Sequence, residues 1–312
     1  MSKLAFVFPG QGSQYVGMVS DLYEQNAEAR SIIGEADRVL GFSLSKICFE
    51  GPEEELRQTR NTQPAIFLHS IVLSKLYRGL PATMASGHSL GEYSALVFAK
   101  ALTFQDGLKL VRLRGELMQK AGTEQQGTMA AVVGLDPAAI NEVCSEASAV
   151  GVVQAANFNS PGQIVISGSV VGVRKAMEFA KRRGAKLVKE LPVSGAFHSP
   201  LMESARNGLK NALDATDIHD AQIPVYANVT ARPVQKVSEI RELLFRQLTS
   251  PVRWEESVAN MVADGASTFV EIGPGKVLQG LVKRIAPKVE IRGIDKFTDI
   301  ASSLDVKTHS SR

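Results

Sequence analysis

Short apolar runs and longer amphipathic segments alternate along most of the chain. Apolar runs at residues 4–8, 82–86 and 268–272, and less regular ones at 221–230 and 289–294, are typical of strands. Between them lie segments with apolar residues three and four positions apart, the spacing of a helix with one buried face. Strands that alternate with helices predict an α/β fold with a mostly parallel sheet flanked by helices.

The pattern changes between residues 127 and 191, where strand-like and helix-like segments follow in the order β-α-β-β-α-β. That order is typical of a ferredoxin-like fold. We therefore predict a large hydrolase-like α/β subdomain from residues 1–126 and 192–298, with a small ferredoxin-like α+β subdomain inserted at 127–191. The insert would cover one side of a cleft. Residues 299–312 are polar and are expected to form a C-terminal tail.

A G-x-S-x-G pattern, from Gly87 to Gly91, stands between an apolar run and a helix-like segment. In that context it predicts a nucleophile elbow with Ser89 at its tip. The flanking positions need glycine because a Cβ there would collide with the opposite arm of the turn. The first amides of the helix would face an anion formed beside the serine, which suits acyl chemistry. An ordinary Gly-Ser turn is the alternative that the flanking strand and helix disfavour.

Arg114 lies on the apolar face of a predicted helix that begins after Thr103. Leu110, Leu113 and Leu117 define that face, and at 100° per residue Arg114 falls within the same arc. A buried guanidinium needs an anion. Periodicity alone leaves two interpretations equally open, a structural ion pair with a protein carboxylate and the capture of a substrate carboxylate.

His198 is the strongest candidate for a base that activates Ser89. It lies in a loop bounded by prolines and follows the serine in the chain, the order found in elbow enzymes. His88 adjoins the serine and is not expected to reach its hydroxyl, whereas His219 and His309 lie in polar segments. The sequence identifies no acidic residue that would complete a triad.

Composition and charge exclude several classes of protein. Hydrophobic residues make up 44% and charged residues 21%, and no apolar run approaches the length of a membrane span. The start of the chain lacks the pattern of a signal peptide, so a cytoplasmic location is expected. Cys48 and Cys144 have neither zinc nor disulfide spacing. The net charge of +3 permits an acidic partner, but no motif for nucleic acid is present.

The assembled motifs resemble those of the malonyl-coenzyme A:acyl carrier protein transacylases of fatty acid and polyketide synthesis. The resemblance covers nearly the whole chain and rests on four motifs in order: FPGQGSQ at 8–14, GHSLGE at 87–92, NFNSPGQ at 157–163 and EIGPG at 271–275. It implies that Ser89 is the nucleophile, that His198 is its base, and that the backbone carbonyl of Gln247 stands where a triad has its acid.

The resemblance also implies a binding site for the acyl group. Amides of Gln11 and Leu90 would form the oxyanion hole, Arg114 would hold the malonyl carboxylate, and Phe197 would favour malonyl over branched groups. Malonyl-coenzyme A and an acyl carrier protein are the expected partners of a monomer. No metal or other cofactor is expected, since malonyl-coenzyme A is a substrate.

Two other functions stay open at this point. A serine hydrolase would use water as the acceptor, although an inward cation beside its acyl pocket would then have little use. A non-catalytic module would only dock on the carrier protein, and it would not need both Ser89 and His198.

Overall fold

The computed structural model describes residues 3–193 and 195–302. Its strands are β1 (Lys3–Phe8), β2 (Met84–Gly87), β3 (Gly127–Val133), β4 (Val153–Ser160), β5 (Gln163–Ser169), β6 (Leu187–Glu190), β7 (Val225–Tyr226), β8 (Pro233–Val234), β9 (Ala266–Ile272) and β10 (Glu290–Ile294). Its helices are α1 (Ser20–Gln25), α2 (Ala27–Leu40), α3 (Leu44–Glu50), α4 (Glu53–Leu56), α5 (Thr59–Leu76), α6 (Gly91–Phe98), α7 (Phe104–Glu124), α8 (Pro137–Ala147), α9 (Val170–Arg182), α10 (Glu203–Ala215), α11 (Val237–Gln247), α12 (Trp254–Ala263), α13 (Val277–Ile285) and α14 (Phe297–Ser302).

The larger sheet is mostly parallel, as predicted. Within the described residues its strand order is β10-β9-β1-β2-β7-β8, and only the β7–β8 pair is antiparallel. The register pairs Phe8 of β1 with Gly87 of β2. The loop after β1 and the turn after β2 therefore leave the same edge of the sheet, which is where ligands bind in open parallel sheets.

The smaller sheet is antiparallel, with the order β4-β5-β3-β6. Helices α8 and α9 pack on it, and their apolar residues join those of the strands in a separate core that includes Val132, Ile140, Ile166 and Val173. One end of β4 is fixed to the segment before α12, since Phe158 N donates to Val252 O at 2.9 Å and Val252 N donates to Ala156 O at 2.8 Å. These two bonds attach the smaller sheet to the loop between α11 and α12.

Helix α5 begins earlier than the sequence suggests. Proline is common at a helix start, so residues 63–65 predict the first turn there, but α5 begins at Thr59 and contains Pro64. Pro64 has no N–H to bond the carbonyl four residues earlier, that of Arg60. Arg112 Nη1 of α7 donates to this carbonyl at 3.0 Å instead. A side chain from a neighbouring helix thus makes an internal proline acceptable, which local sequence does not reveal.

The strand predicted at residues 221–230 is wrong in length, since only Val225–Tyr226 pair as β7. The chain turns directly afterwards, with Ala231 N donating to Ala227 O at 2.8 Å, and returns as β8.

At the C-terminal end of the chain, α14 covers the start of the predicted tail, and the remainder of the tail lies outside the described residues. Within the described part, no helix is long and apolar enough to cross a bilayer.

Candidate active site

Ser89 lies at the tip of a sharp turn between β2 and α6. Its φ is 51°, in the left-handed region that is unfavourable for a residue with a side chain. A Cβ on Gly87 would lie 1.9 Å from the carbonyl carbon of Gly91, and a Cβ on Gly91 would lie 2.0 Å from Phe8 O. Only glycine fits at both positions. The turn has the strand–serine–helix geometry expected from the sequence.

Asn228 stabilises this turn, and sequence reasoning missed it. Its side-chain Oδ1 accepts a hydrogen bond from Ser89 N at 2.7 Å, and its Nδ2 donates to Gly87 O at 2.7 Å. The residue is fully buried at the end of β7, which pairs with β2. A polar residue directly after an apolar run was the available signal, but the strand predicted through this position concealed it.

Ser89 and His198, far apart in sequence, lie within hydrogen-bonding distance. Ser89 Oγ is 2.8 Å from His198 Nε2, and His198 Nδ1 is 2.9 Å from the backbone oxygen of Gln247. Because a carbonyl oxygen can only accept, Nδ1 carries the proton and Nε2 is left as the acceptor for the serine hydroxyl. The His198 carbonyl accepts in turn from Gln154 Nε2 at 2.8 Å.

The imidazole of His198 is held neutral. Burial is the main cause that lowers its pKa to about 3, and the positive charge of Arg114 lowers it further, against the opposing hydrogen bond to Gln247. A neutral imidazole can accept a proton from the serine. His88 hydrogen-bonds to a different residue, since its Nε2 lies 2.9 Å from Asn159 Oδ1.

Arg114 is fully buried, and among the described residues its guanidinium hydrogen-bonds to neutral oxygens and lies over the Tyr93 ring, 5.7 Å from the ring centroid. Nη1 donates to Gln63 Oε1 at 2.9 Å, and Nη2 donates to Gln247 Oε1 at 2.9 Å and to Ser89 Oγ at 3.1 Å. Among the described residues no carboxylate lies within ion-pairing distance of it. Burial lowers its pKa from the usual value for arginine, and the group nevertheless stays charged at neutral pH. Within the part of the chain that the structure describes, Arg114 thus makes no direct ion pair with a carboxylate.

Glu92 is a second buried ionisable group at the site, and sequence reasoning gave it no role. Its side chain lies one turn beyond Ser89 and is 2% exposed. Oε2 accepts from Asn228 N at 2.9 Å and from Gln247 Nε2 at 2.8 Å. Burial raises the pKa of Glu92 to about 7, although both hydrogen bonds and Arg114 oppose that shift. The position of Glu92 on the first turn of α6 was the available signal.

A cleft of about 220 Å³ opens beside Ser89 and His198. The smaller sheet contributes Met129 and Val165 to its wall, and α13, the helix that follows β9 of the larger sheet, contributes Leu278 and Leu281. Gln11, Leu90 and Phe197 line it as well. In the described part of the chain, the amides of Gln11 and Leu90 donate to no protein acceptor, so they are available to a ligand.

Among the residues that the structure describes, no cluster of three or more histidine, cysteine or acidic side chains is arranged to hold a metal ion. The chemistry that the geometry offers is that of a hydroxyl, a neutral imidazole, free amides and a buried cation. A serine on an elbow turn beside a histidine, at the edge of a parallel sheet, is the arrangement of serine hydrolases and serine acyltransferases.

Comparison with known proteins decides between these two classes at the level of family. The acyl transferase domain family matches residues 5–293, and the chain therefore belongs to that family. The malonyl CoA-acyl carrier protein transacylase of Bacillus subtilis (strain 168) is 50% identical over 288 residues, 91% of each chain. That of Escherichia coli (strain K12) is 41% identical, covering 98% of this chain and all of the relative.

Solved structures agree with this membership. One, a type II PKS acyl-carrier protein in complex with its malonyl-transacylase, is matched with a TM-score of 0.95 and 40% identity, covering 98% of this chain and 100% of the matched one. The resemblance read from the four sequence motifs is confirmed.

Proposed function

We propose that this protein transfers the malonyl group from malonyl-coenzyme A to the phosphopantetheine thiol of an acyl carrier protein, as a step of fatty acid or polyketide synthesis. The observation that carries the proposal is the Arg114 guanidinium, which is buried, has no carboxylate partner among the described residues, and lies 3.1 Å from Ser89 Oγ. A cation in that position suits an acyl group that ends in a carboxylate. The names of the relatives agree with it.

In the first half-reaction, Ser89 Oγ attacks the thioester carbonyl while its proton passes to His198 Nε2. The Gln247 carbonyl stabilises the imidazolium that forms, because it accepts from Nδ1–H. The amides of Gln11 and Leu90 bind the oxyanion. When the tetrahedral intermediate collapses, the carbon–sulfur bond breaks and the coenzyme thiolate takes the proton from His198. A malonyl-serine ester remains.

In the second half-reaction, the carrier thiol gives its proton to His198 and attacks the ester carbonyl. The carbon–oxygen bond to Ser89 breaks, and His198 returns the proton to the serine. The cycle is ping-pong and consumes no metal ion or other cofactor. Arg114 holds the malonyl carboxylate through both halves, which keeps the carbonyl beside Ser89.

We further propose that residues 127–191 form a ferredoxin-like subdomain inserted into a hydrolase-like unit made of residues 1–126 and 192–298. The separate core of the smaller sheet and its order β4-β5-β3-β6 support this division. The acyl group would bind between the two units. A monomeric state stays a prediction.

Intact-protein mass spectrometry tests the nucleophile and its base. Incubation with malonyl-coenzyme A should add one malonyl group to the wild type and none to Ser89→Ala. His198→Ala should slow loading by about two to four decades, the usual contribution of general base catalysis. His219→Ala is the matched control, because that imidazole is 60% exposed and lies outside the cleft. Labelling that persists in Ser89→Ala would refute the assignment.

The same experiment separates transfer from hydrolysis. The malonyl-enzyme should persist until carrier protein is added and then lose its extra mass to the carrier. Equal rates of loss with and without carrier would identify water as the acceptor and favour a hydrolase.

A further inference from the structure

The Arg114 guanidinium and the Glu92 carboxyl group are connected through one amide. Gln247 Oε1 accepts from Arg114 Nη2 at 2.9 Å, and Gln247 Nε2 donates to Glu92 Oε2 at 2.8 Å. A flipped amide would set two donors together at Arg114 and two acceptors together at Glu92. The guanidinium and the carboxylate therefore fix the orientation of the amide between them.

The other contacts of this amide belong to the elbow. Gln247 Nε2 also donates to Ser89 O at 3.0 Å and lies 3.4 Å from Asn228 Oδ1, and both acceptors favour the same amide orientation. The Glu92 carboxylate accepts from Asn228 N. Glu92 itself is the residue whose backbone N bonds Ser89 O at 3.1 Å. Glu92 thus lies on the rigid first turn of α6, and its carboxylate holds the flexible Gln247 side chain in place.

The orientation of the Arg114 guanidinium depends on the Glu92 carboxylate more than the position of Ser89 does. This guanidinium is oriented by the Gln63 and Gln247 side chains and by the hydroxyl that must react, and it lies over the Tyr93 ring. Ser89 is also placed by the glycine contacts of the turn, which do not involve the Glu92 side chain, and by the Asn228 side chain, whose own backbone N donates to Glu92 Oε2. Loss of the Glu92 contact should therefore disturb Arg114 first.

We propose that Glu92 is a positioning residue for acyl-group selection: through the Gln247 amide it orients the Arg114 guanidinium towards the carboxylate of the acyl group. The inference rests on the proposed function, in which Arg114 binds that carboxylate. Glu92 touches neither the substrate nor the reacting hydroxyl. What it controls is the preference for an acyl group that carries a charge.

Two conservative variants separate the effect of the length of the Glu92 side chain from the effect of its charge. Glu92→Asp keeps the charge but withdraws the carboxylate by one methylene from Gln247. Glu92→Gln keeps the length and an acceptor oxygen but removes the charge. The readout is the ratio of malonyl to acetyl loading rates on Ser89, because a merely structural defect lowers both rates together and leaves the ratio unchanged.

We expect the ratio to fall by about 10- to 100-fold in Glu92→Asp, the scale on which loss of a supporting contact misplaces a binding group. In Glu92→Gln it should stay within about 3-fold of the wild type or rise, because removing a negative charge favours an incoming carboxylate. Glu50→Asp, an exposed glutamate at the end of α3, is the control and should change neither rate.

Gln247→Met tests the same connection from its other end. It keeps the backbone carbonyl on His198 but removes the amide, so the ratio should fall as in Glu92→Asp. The double variant Glu92→Asp/Gln247→Met should lose no more than about 3-fold beyond Gln247→Met alone, since both act through one contact. If Glu92→Asp fails to fold, Gln247→Met and Glu92→Gln still test the connection, since only the first should lower the ratio.

Three results would overturn the inference: an unchanged ratio in Gln247→Met, equal ratios in Glu92→Asp and Glu92→Gln, or additive losses in the double variant. Failure of the proposed function looks different. In that case the wild type itself would load no malonyl on Ser89, whereas failure of the present inference leaves wild-type loading intact.

Discussion

Arg114 is the residue on which substrate preference should depend. The oxygens that contact its guanidinium belong to two amides and a hydroxyl. These neutral groups stabilise the buried positive charge only in part. A ligand carboxylate would meet it with two parallel hydrogen bonds. In the proposed function, the counter-ion of Arg114 is the carboxylate of the acyl group rather than a protein side chain.

Arg114→Met should therefore reduce malonyl loading by about two to three decades, as expected when one partner of a buried charge pair is removed. Acetyl loading should be unchanged or faster, since acetyl has no carboxylate and since Arg114 lowers the pKa of His198. Without that positive charge the imidazole becomes more basic. Rates of loading with both donors, measured together with the melting temperature, check the prediction.

The control for Arg114→Met is Arg57→Met, at an arginine whose side chain is 59% exposed and pairs with Glu53 at the surface. It should leave both rates unchanged. If Arg114→Met instead lost both activities in parallel with a lower melting temperature, the arginine would be structural.

Phe197 should restrict the size of the acyl group. The ring is 6% exposed and lines the cleft directly before the base. An added methyl group in a tight pocket costs about 1 to 3 kcal/mol, so malonyl should be preferred over methylmalonyl by roughly 10- to 200-fold. Phe197→Ser should reduce that preference chiefly by accelerating methylmalonyl loading. Competition between the two donors measures it, and an unchanged ratio in the variant would show that the ring does not select.

These residues were predictable to different extents. Ser89 carries a local motif, and the order of the chain pointed to His198; the structure brings the two together. Whether Arg114 met a protein carboxylate was undecidable from periodicity, because a helical face says nothing about what lies opposite. Asn228 and Glu92 were missed because their partners come from distant segments. The roles assigned to all of these residues stay proposals.

The elbow turn is the element on which the nucleophile depends. Gly87→Ala would set a Cβ 1.9 Å from the backbone of Gly91, so the strand and the helix would have to separate. We expect loading to fall by at least about 100-fold, because misplacement by about 1 Å has that effect. We also expect stability to fall by about 1 to 3 kcal/mol, the scale of overpacking. Urea unfolding and single-turnover loading measure the two effects.

Gly34→Ala is the matched control for Gly87→Ala. Gly34 lies inside α2, and a Cβ there meets nothing within 4 Å. That variant should gain about 0.5 to 1 kcal/mol and retain full loading. Equal behaviour of the two glycine variants would contradict the steric account of the elbow.

Strands and helices with strong patterns were predicted well, and errors occurred where distant contacts decide. The alternation of apolar runs and amphipathic segments was sufficient to predict the mostly parallel sheet. The start of α5 depended on Arg112 reaching the Arg60 carbonyl across a helix interface. The end of β7 depended on a turn that local composition did not mark. Tertiary contacts set both of these boundaries and override the local propensity for helix or strand.

In the whole molecule, helix α13 forms part of the wall of the cleft, and we call the exposed cations that flank its cleft-facing leucines the rim. Exposed Lys276 precedes α13, and exposed Lys283 and Arg284 lie near its end, whereas Leu278 and Leu281 of the same helix face the cleft. Arg284 Nη1 also bonds Gln163 Oε1, a residue of the cleft wall. An acidic carrier protein that delivers its thiol to Ser89 would pass these cations.

Charge reversal at this rim should therefore separate the two half-reactions. Lys276→Glu/Lys283→Glu should lower the rate constant for transfer to carrier protein by about 10-fold at low salt and weaken its dependence on salt, because steering by exposed charges is screened within about 10 Å at 0.1 M salt. Loading should use a malonyl thioester without the coenzyme nucleotide, whose phosphates would otherwise respond to the same charges. With that donor the variant and the wild type should load equally.

Lys181→Glu is the control for this prediction. It changes an exposed lysine of α9 that lines no part of the cleft, so it should behave as the wild type in both half-reactions. If the rim variant kept the salt dependence of the wild type, or if Lys181→Glu lost as much transfer, carrier docking at this rim would be refuted while the chemistry at Ser89 would stand.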